Sequence, residues 1–191
     1  MGPIVKKALA YVITSLLLVS SVASATVPSP TADDLYVVTV TLPDGSPAPD
    51  GLVIALVPET EAVAQVLADI VQQAQGLPVT STYFATYQEA IQGVLPEGAD
   101  LAALELQELT GLVVSGYEEA MGDVAVRFGF PTLFDPLKPV VVLVGLAEGD
   151  GVTWQVLEFA VSNADGGVDT IFPAELLLAV QAGQALIAVL Q

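Results

Sequence analysis

From Asp123 to Leu190 the chain alternates short apolar runs with compact polar turns, and this alternation narrows the available folds more than any other feature. Val124, Val126, Phe128 and Phe130 fall on one side of a period-two pattern with Arg127 on the other, which predicts a half-buried strand. Val140 to Leu146 is a β-branched run, and Glu148-Gly149-Asp150-Gly151 turns it into a second run, Val152 to Val161. Asn163-Ala164-Asp165-Gly166 turns the chain again into Val168 to Phe172. Pro173 opens a short helix through Val180 that ends near Gly183. Ala185 to Leu190 is a last strand, too short to span a bilayer.

The first half carries two further strands and a change of period. Tyr36, Val38, Val40 and Leu42 point one way and Thr39 and Thr41 the other; Pro43 to Gly51 is turn chemistry, and Leu52 to Val57 is a fully apolar strand. Thr60 then caps a helix presenting Val63, Val66, Leu67, Ile70 and Val71, stopped by Gly76 and Pro78. Thr82 to Val94 presents Tyr83, Tyr87, Ile91 and Val94 as a second helical face. A third helix opens at Asp100 with Leu101, Leu104, Leu109 and Leu112. The expectation is one mainly β domain over 35–191, an antiparallel sandwich carrying a helical insertion at about 59–121. The alternative is an α+β sheet with helices on one face.

Met1 to Ala25 has the form of a signal peptide: Lys6 and Lys7, an apolar stretch from Ala8 to Val22, and Ala23-Ser24-Ala25 as a cleavage site. Residues 26–34 then form a linker. Export is expected, with no membrane insertion after cleavage, and the location is secreted or extracellular. Cleavage removes two of the four basic residues and none of the 22 acids, taking the net charge from −18 to −20. The imbalance is a shortage of bases, since only Arg127 and Lys138 remain, while the share of acids is ordinary. Nucleic acid is therefore not an expected partner, because that affinity rests on Lys and Arg neutralising phosphates. With Lys138 followed by Pro139, Arg127 is also the one good site for trypsin-like proteases, so the shortage suits a protease-rich setting.

The first hairpin, TVTLPDGSPAPDGLVIAL from Thr39 to Leu56, resembles the opening of Ig-like or transthyretin-like extracellular modules. The tail, WQVLEFAVSNADGGVDTIFPAELL from Trp154 to Leu177, resembles the end of uncharacterised secreted surface proteins of Gram-positive bacteria. The two segments cover about a quarter of the chain after cleavage. The resemblance implies an Ig-like β-sandwich acting as a surface or interaction module, and brings no catalytic residues.

No histidine and no cysteine occur, which removes the usual triad base, the thiol nucleophile and the usual zinc ligands. Neither G-x-S-x-G nor a phosphate-cradling loop is present. Paired carboxylates remain available: Glu118, Glu119 and Asp123 beside Tyr117, and Glu105 with Glu108 at helical spacing. Calcium candidates are Asp44 and Asp50 in one loop, Glu148 and Asp150 in another, and Asp165 in a third, although no EF-hand loop exists. Trp154 with Tyr83, Phe84 and Tyr87 is either a stacking platform or core, and their spacing favours core. The leading expectation is a non-catalytic structural or interaction module of the bacterial envelope or extracellular space, without a cofactor, binding a protein or glycan. The alternative is an extracellular carbohydrate-active protein using paired Asp/Glu, and self-assembly by strand addition is a third course.

Overall fold

The computed structural model describes residues 37–56, 76–81, 83–130, 133–148, 151–183 and 185–191. The signal segment, the linker, the helical face from Val63 to Val71, and Asp150 lie outside the described residues. The described chain is mainly antiparallel β, arranged in two sheets with two short helices. The four-stranded sheet runs β1 (Val37–Thr41), β4 (Val124–Gly129), β8 (Val168–Phe172), β7 (Ala160–Ser162). The five-stranded sheet runs β2 (Val53–Leu56), β3 (Leu106–Ser115), β9 (Ala185–Leu190), β5 (Val141–Glu148), β6 (Gly151–Val156).

The inner faces of the two sheets share one core. Val126 and Phe128 of β4 and Phe172 of β8 meet Leu112 of β3, Val142 of β5 and Ile187 of β9. The period-two reading of Val124 to Phe130 holds, with all four apolar residues buried and Arg127 exposed. Helix α2 (Ala174–Ala182) packs Leu176, Leu177 and Val180 into the same core. Its first turn is capped from a distance, because the Asp123 carboxylate accepts the Ala174 N–H at 3.0 Å.

A second apolar cluster lies on the other face of the five-stranded sheet. It is covered by 3-10 turns at Val79–Ser81, Tyr83–Tyr87 and Leu101–Ala103 and by helix α1 (Gln88–Val94). This third layer explains why the central strands carry unbroken apolar runs. In β9, Ile187 and Val189 face the first core while Leu186, Ala188 and Leu190 face the second, so every residue of the strand is buried.

The β6 strand projects past the end of the four-stranded sheet, whose last strand, β7, lies against β5. Its side chains divide accordingly. Val152, Trp154 and Val156 face the helical layer, whereas Thr153 and Gln155 are exposed. Phe84 stacks edge-on to Trp154 at 5.0 Å, and the Trp154 backbone N–H donates to the Tyr87 hydroxyl at 3.4 Å. Phe84 and Trp154 are thus core residues, and the Tyr87 hydroxyl takes an amide of β6.

Three expectations are corrected. The third helix is strand β3 beyond a short 3-10 turn, so the helical block ends near Ala103. A bulge between Leu106 and Glu108 puts Leu106 and Leu109 on the same face, an i, i+3 spacing that imitates a helix. Val152 to Val161 is two strands, because the chain leaves the five-stranded sheet after Val156 and enters the other at Ala160. The second strand is half-buried, with Ile54 and Leu56 inward and Val53 exposed.

Candidate functional site

The sequence candidates for chemistry are spread over the molecule. Asp44 and Asp50 lie in the loop leading to β2, at one edge of the five-stranded sheet. Glu148 ends β5 on the far side of β3 and β9, and Asp165 lies in the β7–β8 turn at the opposite end of the four-stranded sheet. The Asp44 carboxylate accepts the Ser46 hydroxyl at 2.6 Å and its N–H at 2.9 Å, and these bonds hold it below its ordinary pKa. Among the described residues no three acidic side chains converge as a metal site requires.

The carboxylates near Tyr117 serve structure. Tyr117 is buried, its hydroxyl donates to the Gly122 carbonyl at 2.8 Å, and its backbone pairs with the Gln181 amide at 2.7 and 3.0 Å. Burial, with Asp123 and Glu119 adding negative charge, raises the pKa of that hydroxyl. Asp123 caps α2, while Glu118 and Glu119 are exposed. Glu105 and Glu108 do not share a helix face: Glu105 exchanges two backbone hydrogen bonds with Gln191, and Glu108 lies in β3 beyond the bulge.

A different feature stands out around β7. The two most exposed large apolar side chains among the described residues are Leu137, 92 % exposed, and Leu133, 76 % exposed. Phe159 and Val161, at and just before β7, are 46 % and 47 % exposed. The β4–β5 loop, which carries Leu133 and Leu137, is tied to β7 and its turn. Phe134 N–H donates to Gly166 O at 2.9 Å, and the Ser162 hydroxyl donates to Asp135 O at 2.9 Å. Gln191 fixes the same loop: its side-chain amide accepts the Asp135 N–H at 2.7 Å and donates to Asp135 O at 2.9 Å. Leu137 therefore stands at the tip of an anchored turn, where little ordering is left to be done on binding.

Both basic residues of the described chain lie near this rim. Arg127 makes a two-pronged ion pair with Asp169 on the open face of the four-stranded sheet, at 2.6 and 3.0 Å, which raises the arginine pKa. Asp169 is in turn the register partner of Val161. Lys138 is exposed, and its carbonyl accepts a longer contact, 3.4 Å, from the Ser162 hydroxyl.

β7 is the last described strand of its sheet. Asn163 N–H donates to Gly167 O, so by the two-residue alternation of antiparallel ladders Val161 bonds inward to β8. Ala160 and Ser162 then turn their N–H and C=O groups away from β8, and at Ser162, only 5 % exposed, the β4–β5 loop lies against the strand. Sequence reading missed this site because it joined β7 to β6 and left Leu133 and Leu137 in an unremarked Pro-rich loop. The available signal was three apolar residues, Leu133, Phe134 and Leu137, in a segment otherwise suited to a solvated connection. Comparison with family models, with curated proteins and with solved structures gave no match to this chain.

Proposed function

We propose that the protein is a secreted, non-catalytic structural or interaction module of the bacterial envelope or extracellular space, docking through the β7 rim. The observation that carries this reading is the exposure of Leu133, Leu137, Phe159 and Val161 on one anchored edge. Together they leave several hundred Å2 of apolar surface in water, which in soluble proteins marks a binding surface. Export rests on the signal-like Met1 to Ala25 segment. Among the described residues no helix is long and apolar enough to cross a membrane.

The Ig-like part of the reading is supported by strand order. β1-β4-β8-β7 follows the A-B-E-D order of such sandwiches, and β9-β5-β6 follows F-C-C′. The place beside F normally held by the last strand, G, is taken by β3, which precedes B in the chain. The helical layer is an addition to that plan.

The test is binding of the purified protein to extracellular-matrix, glycan and cell-wall fractions, comparing wild type with Leu137→Asp and Phe159→Asp. Both changes lie on exposed side chains, so folding is expected to be unaffected. The reading expects retention of wild type and loss of about tenfold or more in each variant. Equal retention of all three proteins, or of none, contradicts it.

A further inference from the structure

We infer that the fold is built to persist among proteases that cut after lysine or arginine, because it closes both of the bonds such an enzyme could take beyond the leader. This property goes beyond the docking role and does not depend on it. Between Thr26 and Gln191 the only basic residues are Arg127 and Lys138, and both lie in described parts of the structure. A trypsin-like enzyme seats the residue before the scissile bond in a pocket with an acidic floor, so these two positions are the ones it can use.

The bond after Arg127 is closed by the sheet. A protease takes its substrate as an extended segment whose backbone bonds to the walls of the cleft, which requires a free strand edge. β4 has none, since β1 lies on one side of it and β8 on the other. The register is unbroken from Val37 opposite Gly129 to Thr41 opposite Ala125, and from Val124 opposite Phe172 to Phe128 opposite Val168. Val126 and Phe128, the neighbours of Arg127, are both buried in the core between the sheets. The guanidinium is held by Asp169 on the open face. The arginine side chain is therefore visible at the surface while its peptide bond is out of reach.

The bond after Lys138 is closed by chemistry. Lys138 is exposed in the β4–β5 loop, but the next residue is Pro139. That bond is a tertiary amide without an N–H, and the proline ring fixes the backbone angle that follows it, so enzymes of this class leave it intact. The loop is also tied down. Lys138 N–H donates to Asp135 O at 3.1 Å, and Asp135 is held in turn by the Gln191 side chain.

Cutting at Arg127 then requires β4 to leave both neighbours and its core at once. Core strands of this kind open with a free energy close to that of global unfolding. When opening and closing are fast relative to cleavage, the rate of cutting follows the unfolded population, about one part in 10³ to 10⁶ for an ordinary domain. A lysine in an exposed loop has no such protection, because loops are where native chains are nicked. The shortage of bases and the placement of the two that remain thus act together: one removes the loop sites, the other shields what is left.

The experiment is trypsin digestion of the full chain under native conditions, with fragments identified by mass spectrometry and far-UV circular dichroism confirming that each variant is folded. Cuts at Lys6 and Lys7 fall in the leader and are set aside. Wild type is expected to stay intact beyond the leader. Asp50→Lys places a lysine before Gly51 in the exposed loop between β1 and β2, and should be cut there at least about a hundredfold faster than wild type is cut at Arg127. Gly145→Ala overpacks the other sheet, far from Arg127 in the chain, and should speed cutting at Arg127 by about tenfold, because that bond is released only by global unfolding. Folded wild type cut at Arg127 within about tenfold of the Asp50→Lys rate overturns the inference, as does cutting after Lys138. An Asp50→Lys protein as resistant as wild type also overturns it, since resistance would then owe nothing to where the bases lie. Retention by extracellular fractions is a separate readout, so the docking role and this property can fail independently.

Discussion

Gly145→Ala probes how tightly the five-stranded sheet is fitted to its helical cover. Gly145 lies in β5 directly opposite Trp154 of β6. A Cβ placed there meets Val152 Cγ1 at 2.5 Å and two indole carbons of Trp154 at 3.0 Å, distances at which something must move. Neither neighbour gives way easily, since Val152 is β-branched and Trp154 is buried against Phe84. Overpacking of this kind costs about 1–3 kcal/mol. Removing the freedom of glycine from the unfolded chain returns about 0.5–1 kcal/mol. The expected net loss is about 1–2 kcal/mol, or a fall in Tm of about 5 °C for a chain of this size. Trp154 is the single tryptophan, so urea unfolding followed by its fluorescence reads the site directly. Val152→Ala made in the Gly145→Ala background should recover part of the loss, giving a coupling of about 1 kcal/mol in a double-mutant cycle. If Gly145→Ala is as stable as wild type, or the two changes are simply additive, the close fit described for this face is refuted.

Three further outcomes are expected. Thr110→Val should raise stability by about 1 kcal/mol in the same urea assay, because Thr110 Oγ1 is buried without a partner among the described residues; a loss of that size would show that the hydroxyl is bonded. Tyr117 has its pKa raised in the folded chain, so its contribution is complete below the unfolded value near 10 and declines as pH rises through the folded one. Tyr117→Phe should therefore flatten the alkaline fall in Tm while costing about 1 kcal/mol at neutral pH through the lost bond to Gly122; an unchanged alkaline slope contradicts this. Among the described residues the calcium candidates Asp44, Asp50, Glu148 and Asp165 lie apart, so Tm is expected not to depend on calcium, and a rise of several degrees in millimolar calcium over chelator would refute that expectation.

The parts of the fold legible in the sequence are those with one wet face or a tight turn. β4 alternates because Arg127 faces solvent while its neighbours are buried, and the Asn163 to Gly166 turn advertises the β7–β8 hairpin. Pro173 and Gly183 likewise bracket α2. β3 was obscured because it is covered on both faces: Leu109 serves the helical layer, Leu112 serves the inter-sheet core, and the bulge before them breaks the period of two. The crossing from β6 to β7 was hidden for a related reason. Leu157 stays buried as the chain changes sheets, so the apolar run continues where the sheet does not. Trp154 was correctly weighed as core, since its alternation with Val152 and Val156 survives in β6. The rim site was least legible, because it depends on hydrogen bonds between residues far apart in the chain, such as Asp135 with Gln191.

Hydrogen exchange at single-residue resolution tests the docking role of β7 most directly. In the free protein the inward amide of Val161, paired with β8, should be protected. When an extracellular fraction that retains the protein is bound, the amides around Leu137 and from Phe159 to Val161 should slow by about tenfold or more, with the edge amides of β1 and β2 unchanged. Slowing confined to another edge, with the β7 rim unaffected, would contradict the account.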